Sequence, residues 1–431
     1  LSSIMSLLVP SDGILETHVT WDEVEKRLQE AFNTTATLGK KKSVKHIGQG
    51  QGFASRIGVI YCDWDGAGLG RKRDETLPPV FALKMSSMLA SKEMSENKDF
   101  QDDFKPPEGV TMEQMMEGWV GFIKQVHNTE VDVYRVLSQF KGELAVPKCY
   151  YSVPFTDENK LAGSLALEYF DESTIYHVYQ NMSVEQIRQI ARALGKIQAA
   201  SVKYGIEKEA SIDRDTWVDF WKNFGLDIYT QCVEQGKKID EAIHESLDAA
   251  IPLVPLYFGT TLPMTIHKQI GCGRVLVNGD HWAANVLFDS KGDLAAIIDW
   301  QLSHLGVGVE DLLRIMLSAM SSSDRRNNTA EILNEMYDSM EQNLDGATAP
   351  YTREQLFLLH DLLFPHCAFF FAPVLTPVFL VSEKTNLTGA PNEEEKLKRK
   401  DIVIDKLRGI YEDIVIYHEK NEKKGLDLKW K

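Results

Sequence analysis

The stretch LVNGDHWAANVLFDSKGDLAAIIDWQ, residues 276–301, sets Asp280, Asn285 and Asp299 among two short apolar runs that read as strands joined by a turn. Asp280 and Asn285 stand five residues apart, and Asp299 follows 19 residues after Asp280. Burying three acceptor side chains close together is costly unless something positive pairs with them. Two hard oxygen ligands, Asn285 and Asp299, suit Mg2+, which keeps several waters and takes further ligands from phosphates. Asp280 is then left to accept a proton from an attacking hydroxyl. Any one of the three is most simply a turn-forming residue. The set of three, on this spacing, points to a magnesium–nucleotide site.

The rest of the chain bounds that reading. Its 431 residues are too many for one ordinary core and suit two domains. Hydrophobic residues make up 43% and charged residues 26%, the balance of a soluble globular protein. Lys and Arg number 47 against 63 Asp and Glu, a net charge of −16. Such a field repels nucleic acid and anionic membranes, while a local basic site can still hold ATP. Cys62, Cys149, Cys232, Cys272 and Cys367 show no C-x-x-C spacing and no accompanying His cluster. That argues against a disulfide framework or a zinc site and for a reduced, cytoplasmic protein. The N-terminal LSSIMSLLVPSDG lacks a basic n-region and makes a poor signal peptide. Residues 362–381 are long and apolar enough for a membrane span, but Pro365, Pro373 and Pro377 break the helical bonding that lipid demands. A buried, kinked core segment is expected there. No protein partner is inferable.

Along the chain, WDEVEKRLQEAF (21–32) has helical spacing behind an N-cap, Thr20. KHIGQGQGFASRIGVIYCDW (45–64) reads as strand, glycine-rich turn, strand, and residues 66–79 as an exposed hairpin loop. VFALKMS (80–86) is a strand, residues 90–118 an irregular insertion around Pro106 and Pro107, and residues 128–140 a helix. SLALEYF (164–170) is an apolar strand. From Ser183 the pattern turns helical, opening on a capping box with Gln186 and ending before Gly205. Further helices are expected near 213–234, 238–250, 308–321, 324–343, 352–364 and 395–420. The fold class is α+β, with a strand-rich residues 1–170, a hinge near 170–173 and a helical residues 171–431.

Three features of the first part carry chemistry. Gly48, Gly50 and Gly52 let backbone N–H groups approach an anion closely, although a hairpin needing positive φ is the commoner reason for such glycines. Neither a dinucleotide fingerprint nor a G-x-x-x-x-G-K-[ST] loop is present. Lys84 sits in a strand among apolar neighbours, where a snorkelling edge lysine is the plain alternative. Glu130, read as lying in the first turn of a helix and facing inward with Val133 and Leu137, is its candidate partner.

The pieces NGDHWAAN and IIDWQ resemble the H-G-D-x-W-x-x-N and D-W-Q signature of the choline/aminoglycoside kinase-like superfamily, closest to its ecdysteroid kinase-like (CHK) branch. GQGQGFASRI, FALKM and HNTEVDVYRVL are similar to that branch's phosphate loop, lysine strand and glutamate helix. Together these matches cover roughly residues 45–320. The resemblance implies a protein-kinase-like fold with a small N-lobe and a large helical C-lobe. It implies that Gly50, Gly52 and Ser55 line the phosphate loop and that Lys84, held by Glu130, touches the α/β-phosphates. Glu168 and Phe170 would then offer backbone groups to adenine, Asp280 would be the base, and Asn285 and Asp299 the magnesium ligands. One departure stands out: Asn278 occupies the place where the family usually has His, a residue that supports the loop. No H-R-D, D-F-G or A-P-E motif is present, which argues against a protein kinase.

The expected activity is ATP- and Mg2+-dependent transfer of the γ-phosphoryl group to a hydroxyl of a small, rather apolar acceptor. Trp217, Trp221 and Phe224 are among the residues that point to an apolar acceptor, though plain core is their simpler reading. The rival from another class is a catalytically silent nucleotide-binding scaffold.

Overall fold

The structure, a computed structural model, describes residues 6–48, 54–65, 77–96, 111–140, 142–214, 216, 218–219, 222, 225–385 and 390–424. The chain divides into two compact units: Leu1–Lys141 with Pro147–Asp171, and Gly142–Val146 with Glu172–Lys431.

The first unit is built on a five-stranded antiparallel sheet. Helix α1 (Trp21–Phe32) starts where Thr20 accepts the Glu23 N–H at 3.3 Å. Strands β1 (Thr37–Leu38), β2 (Ser43–Ile47), β3 (Ser55–Tyr61), β4 (Trp64–Asp65) and β5 (Val80–Ser86) follow, then β6 (Cys149–Val153) and β7 (Ser164–Leu167). The sheet order is β2-β3-β5-β7-β6, with β1 and β4 paired separately. Residues alternate across β5. Phe81, Leu83 and Met85 enter the core that also holds Val24 and Leu28 of α1, which turns Lys84 to the other face. Helix α2 (Leu89–Ser95) and the 26-residue helix α3 (Met112–Leu137) complete the unit.

Two sequence expectations are corrected here. The region 90–118 is not irregular throughout, because α2 and the first turns of α3 occupy its ends. Helix α3 starts at a full capping box, in which Thr111 and Gln114 satisfy each other's backbone N–H groups at 3.1 and 2.9 Å. Glu130 therefore lies deep in the helix and not in its first turn, so no helix-terminus dipole explains it.

The second unit is helical around two small sheets. Its helices are α4 (Val184–Tyr204), α5 (Leu226–Glu234), α6 (His244–Ala250), α7 (Val254–Tyr257), α8 (Leu262–Ile270), α9 (Glu310–Ala319), α10 (Ser322–Gln342), α11 (Arg353–Thr385) and α12 (Glu393–Glu422). Helix α4 begins at the Ser183–Gln186 capping box and ends at Gly205, whose φ of 76° closes the left-handed cap. The expected helix 213–234 is interrupted at Gly225, where φ is 84°. The opening stretch yields three strands, not two joined by one turn. β9 (Val275–Val277) pairs with β12 (His304–Gly306), whereas β10 (Val286–Phe288) pairs with β11 (Leu294–Ile297) and with β8 (Thr174–Ile175).

Helix α11 is longer than the expected 352–364, running on through Pro365, Pro373 and Pro377 as one helix. Each proline removes the bond to the carbonyl four residues back. Two of those carbonyls find partners elsewhere in the unit. Asn421 Nδ2 donates to Asp361 O at 2.7 Å, and the Tyr229 hydroxyl donates to Phe369 O at 2.5 Å. The stretch Arg353–Leu380 is long and apolar enough to cross a membrane, but 78% of its most apolar window is buried inside the protein. Helix α12 brings a fully buried lysine: Lys406 Nζ donates to the carbonyls of Val178, Gln180 and Ser318 at 2.8, 2.6 and 2.8 Å. Burial pushes this amine down to about 7, while three carbonyl acceptors use all three protons of the ammonium form.

Candidate active site

In the first unit, the strand alternation that hides Phe81, Leu83 and Met85 presents Lys84 to helix α3. Lys84 Nζ donates to Glu130 Oε2 at 2.7 Å, and the glutamate is 1% exposed. An ion pair buried to this degree is held by geometry, because losing either partner strands the other charge. Ser55 opens β3 opposite Ser86, and Gly48 has a φ of 70° at the start of the glycine-rich turn. Gly50 and Gly52 lie outside the described residues, as do Trp217, Trp221 and Phe224, and residues 66–76 of the expected hairpin loop. Glu168 donates its backbone N–H to Lys148 O at 2.8 Å and accepts the Lys148 N–H on its carboxylate at 3.2 Å, so its carbonyl is the backbone group left to a ligand. Phe170 is half-buried two residues on.

In the second unit, Asp280 and Asp299 are both bonded to the buried Asn278, and Asn285 is bonded to Asp280. Asn278 Oδ1 accepts the Asp280 N–H at 3.1 Å, and Asn278 Nδ2 donates to Asp299 O at 3.0 Å. Asn285 Nδ2 donates to Asp280 O at 2.8 Å and to Asp280 Oδ2 at 3.3 Å. Both partners are acceptors, so the amide nitrogen must face them. That leaves Asn285 Oδ1 turned away, with no hydrogen-bond partner among the described residues, as a hard oxygen. Asp299 adopts φ 59°, the left-handed region that non-glycine residues rarely enter. Strain of this kind persists only where the surroundings over-determine it, and it clusters at functional sites. Two acid or amide oxygens on fixed backbone are the donor set Mg2+ takes beside phosphate and water.

A platform beneath the loop was not visible in the sequence. Asp311, on α9, accepts the Asn278 N–H at 2.7 Å and the Gly279 N–H at 3.0 Å. Ser318 Oγ accepts the Ala283 N–H at 3.1 Å. Gly279 has φ 80°, and a Cβ there would stand 2.1 Å from Leu302 O, so only glycine fits. The next layer is ionic: Glu310 accepts from His304 Nε2 at 3.1 Å and from Arg314 Nη2 at 2.5 Å. His304 Nδ1 faces the Leu302 carbonyl at 3.1 Å, so both ring nitrogens face acceptors and the imidazolium form satisfies both. Burial alone would raise Glu310, but His304 and Arg314 outweigh it and hold the carboxyl at about 2. Asp311 shows the reverse balance. Burial pushes it up to about 6 against two amide bonds that lower it. His281 is fully buried and held neutral, pushed down to about 3 by desolvation. The available signal for this platform was the acid pair Glu310-Asp311 opening a largely apolar helix that also carries Arg314 and Ser318.

The family model described as "Uncharacterized oxidoreductase dhs-27" (DUF1679) matches residues 7–422. The chain belongs to this family. An "Uncharacterized kinase-like protein" of Caenorhabditis elegans is 26% identical over 236 residues, 53% of this chain and 59% of the relative, so the chain matches little more than half of that relative's length. Among solved structures, a putative aminoglycoside phosphotransferase from Ralstonia eutropha aligns with 12% identity and a TM-score of 0.44, over 92% of this chain and 98% of that one. Choline kinase LicA from Streptococcus pneumoniae aligns with 13% identity and a TM-score of 0.33, over 89% and 98%.

Proposed function

We propose that the chain is an ATP- and Mg2+-dependent phosphotransferase that moves the γ-phosphoryl group to a hydroxyl of a small, rather apolar acceptor. The observation that carries this reading is the arrangement in which the buried Asn278 anchors the backbone of both Asp280 and a strained Asp299, while Asn285, with its oxygen turned out, donates to Asp280. The Lys84–Glu130 pair is the complementary cation for phosphate. The kinase-like name of the nematode relative agrees with it.

In this reading Asn285 and Asp299 would hold Mg2+, which would supply neutralisation of the charge developing on the transferring phosphoryl group. Lys84, oriented by Glu130, binds the α/β-phosphates. Gly48, Gly50, Gly52 and Ser55 bring backbone N–H groups over the phosphates, and the Glu168 carbonyl and Phe170 N–H receive adenine. Asp280 accepts the proton of the acceptor hydroxyl as its oxygen attacks, and Asn285 holds that carboxylate in place. Residues 1–170 thus serve the nucleotide, and residues 171–431 the chemistry and the acceptor. The aromatic pair Trp282 and Phe371, with ring centroids 6.5 Å apart, gives the catalytic loop an apolar neighbour and supports an apolar acceptor. The working location is the cytoplasm, with no nucleic acid and no membrane span.

The family's description names an oxidoreductase, and the doubly wound dinucleotide-binding fold found in many such enzymes is built on parallel strands. All strand pairings among the described residues are antiparallel. The alternative reading is a catalytically silent nucleotide-binding scaffold, which the intact Lys84, Asp280, Asn285 and Asp299 disfavour. Incubation with labelled ATP and a metabolite extract, followed by identification of the labelled product, decides between them. A labelled small alcohol is the expected result, and nucleotide binding without any labelled product would leave the scaffold.

A further inference from the structure

Asn278 is fully buried, and all its polar atoms are engaged. Its Oδ1 takes the Asp280 N–H at 3.1 Å, which closes an Asx turn over Gly279. Its Nδ2 gives one proton to Asp299 O at 3.0 Å and lies 3.4 Å from Ile298 O. Its own N–H goes to Asp311 Oδ2 at 2.7 Å, and its carbonyl accepts from Ser303 Oγ at 3.3 Å. The two side-chain bonds have opposite sense. A carboxylate lacks the donor and an aliphatic side chain lacks both, so a primary amide is the compact, uncharged group that makes them together. One planar group thus fixes the backbone under Asp280 and the left-handed backbone under Asp299.

We infer that Asn278 is a positioning residue that sets the spacing of Asp280 and Asp299, and that its bond to the Asp299 carbonyl governs how well the site takes a divalent cation. This rests on the roles given to Asp280 and Asp299 under Proposed function. A purely structural Asn278 would matter only for folding. A positioning Asn278 also changes the metal requirement of the folded protein, by the tenfold or more that the loss of a ligand's supporting bond typically causes.

The test measures binding of a non-hydrolysable ATP analogue to the full chain by calorimetry at rising Mg2+, at pH 8, beside melting temperatures without metal. Wild type should need Mg2+, and Asp299→Asn should lose that dependence. Asn278→Leu removes both side-chain bonds at similar volume, and it should raise the Mg2+ concentration for half-maximal binding at least tenfold in folded protein. Asn278→His, which keeps one donor and one acceptor, should lie between the two. If Asn278→Leu does not fold, Asn278→Ala takes its place with the same expected shift. A folded Leu or Ala variant with the wild-type Mg2+ requirement overturns the inference while the Asp299→Asn result leaves the proposed function standing. Nucleotide binding by wild type that ignores Mg2+ overturns both.

Discussion

The site residues differ in what each should do when removed. Lys84→Met should weaken nucleotide binding at least tenfold, about 1.4 kcal/mol, because it removes the cation proposed to bind the phosphates and leaves the Glu130 carboxylate unpaired beside them. Calorimetry with the nucleotide checks it, and unchanged affinity would sink the assignment. Asp299→Asn should lose Mg2+-dependent ATP affinity. Asp280→Asn should bind Mg·ATP normally and turn over on the order of a hundredfold or more slower. The opposite pattern would mean that the two roles are exchanged. Glu310 gives a pH signature. Its folded value of about 2 lies below the ordinary 4.5, so the unfolded state binds more protons in between. Its stabilising contribution is complete above 4.5 and is lost as pH falls through 2. In thermal melts, the stability gap between wild type and Glu310→Gln should therefore close as pH falls from 4.5 to 2. Lys84 and Glu130 were legible because strand alternation and helical spacing are local. The loop-supporting place of Asn278 was given by the resemblance alone, and its bond to Asp299 and the role of Asp311 were not legible, because those bonds join residues 21 and 33 positions apart that only the packed unit brings together.

At the scale of elements, helices α1 and α4 were readable from their helical spacing and their caps. The start of helix α3 was not, because the Thr111–Gln114 box closely follows the proline pair 106–107, which reads as irregular chain. Helix α11 shows the limit of proline as a sequence signal. Proline predicts a break because it orphans a carbonyl, and the sequence cannot show that Asn421 and Tyr229 meet two of those carbonyls. Removing either donor should leave a buried carbonyl unsatisfied. Asn421→Leu and Tyr229→Phe should each cost about 1–3 kcal/mol, read from denaturant midpoints at constant slope. A change under about 0.5 kcal/mol in both would show that α11 does not depend on these donors.

At the scale of the molecule, the change from strand-rich to helix-rich composition was plain in the order of hydrophobic periods, and the α+β class follows from it. The pairing of β9 with β12 instead of β10 was not plain, since three-residue strands carry too little pattern to fix a partner. The apolar run at 362–381 misleads at this scale, for it satisfies a membrane-span test by length and composition. The full chain mixed with lipid vesicles should stay at the bottom of a flotation gradient. Co-migration of intact protein with the vesicles, resistant to carbonate, would overturn the buried reading.

The proline-bearing helix also sets a timetable. Residues 353–385 are synthesised before Asn421, so for some tens of residues of synthesis the most apolar segment among the described residues exists without one of its two carbonyl partners. Tyr229 is already available then, but Asn421 is not. The nascent chain must shelter that segment until α12 emerges, which makes this the interval in which a chaperone, or aggregation, has its opportunity.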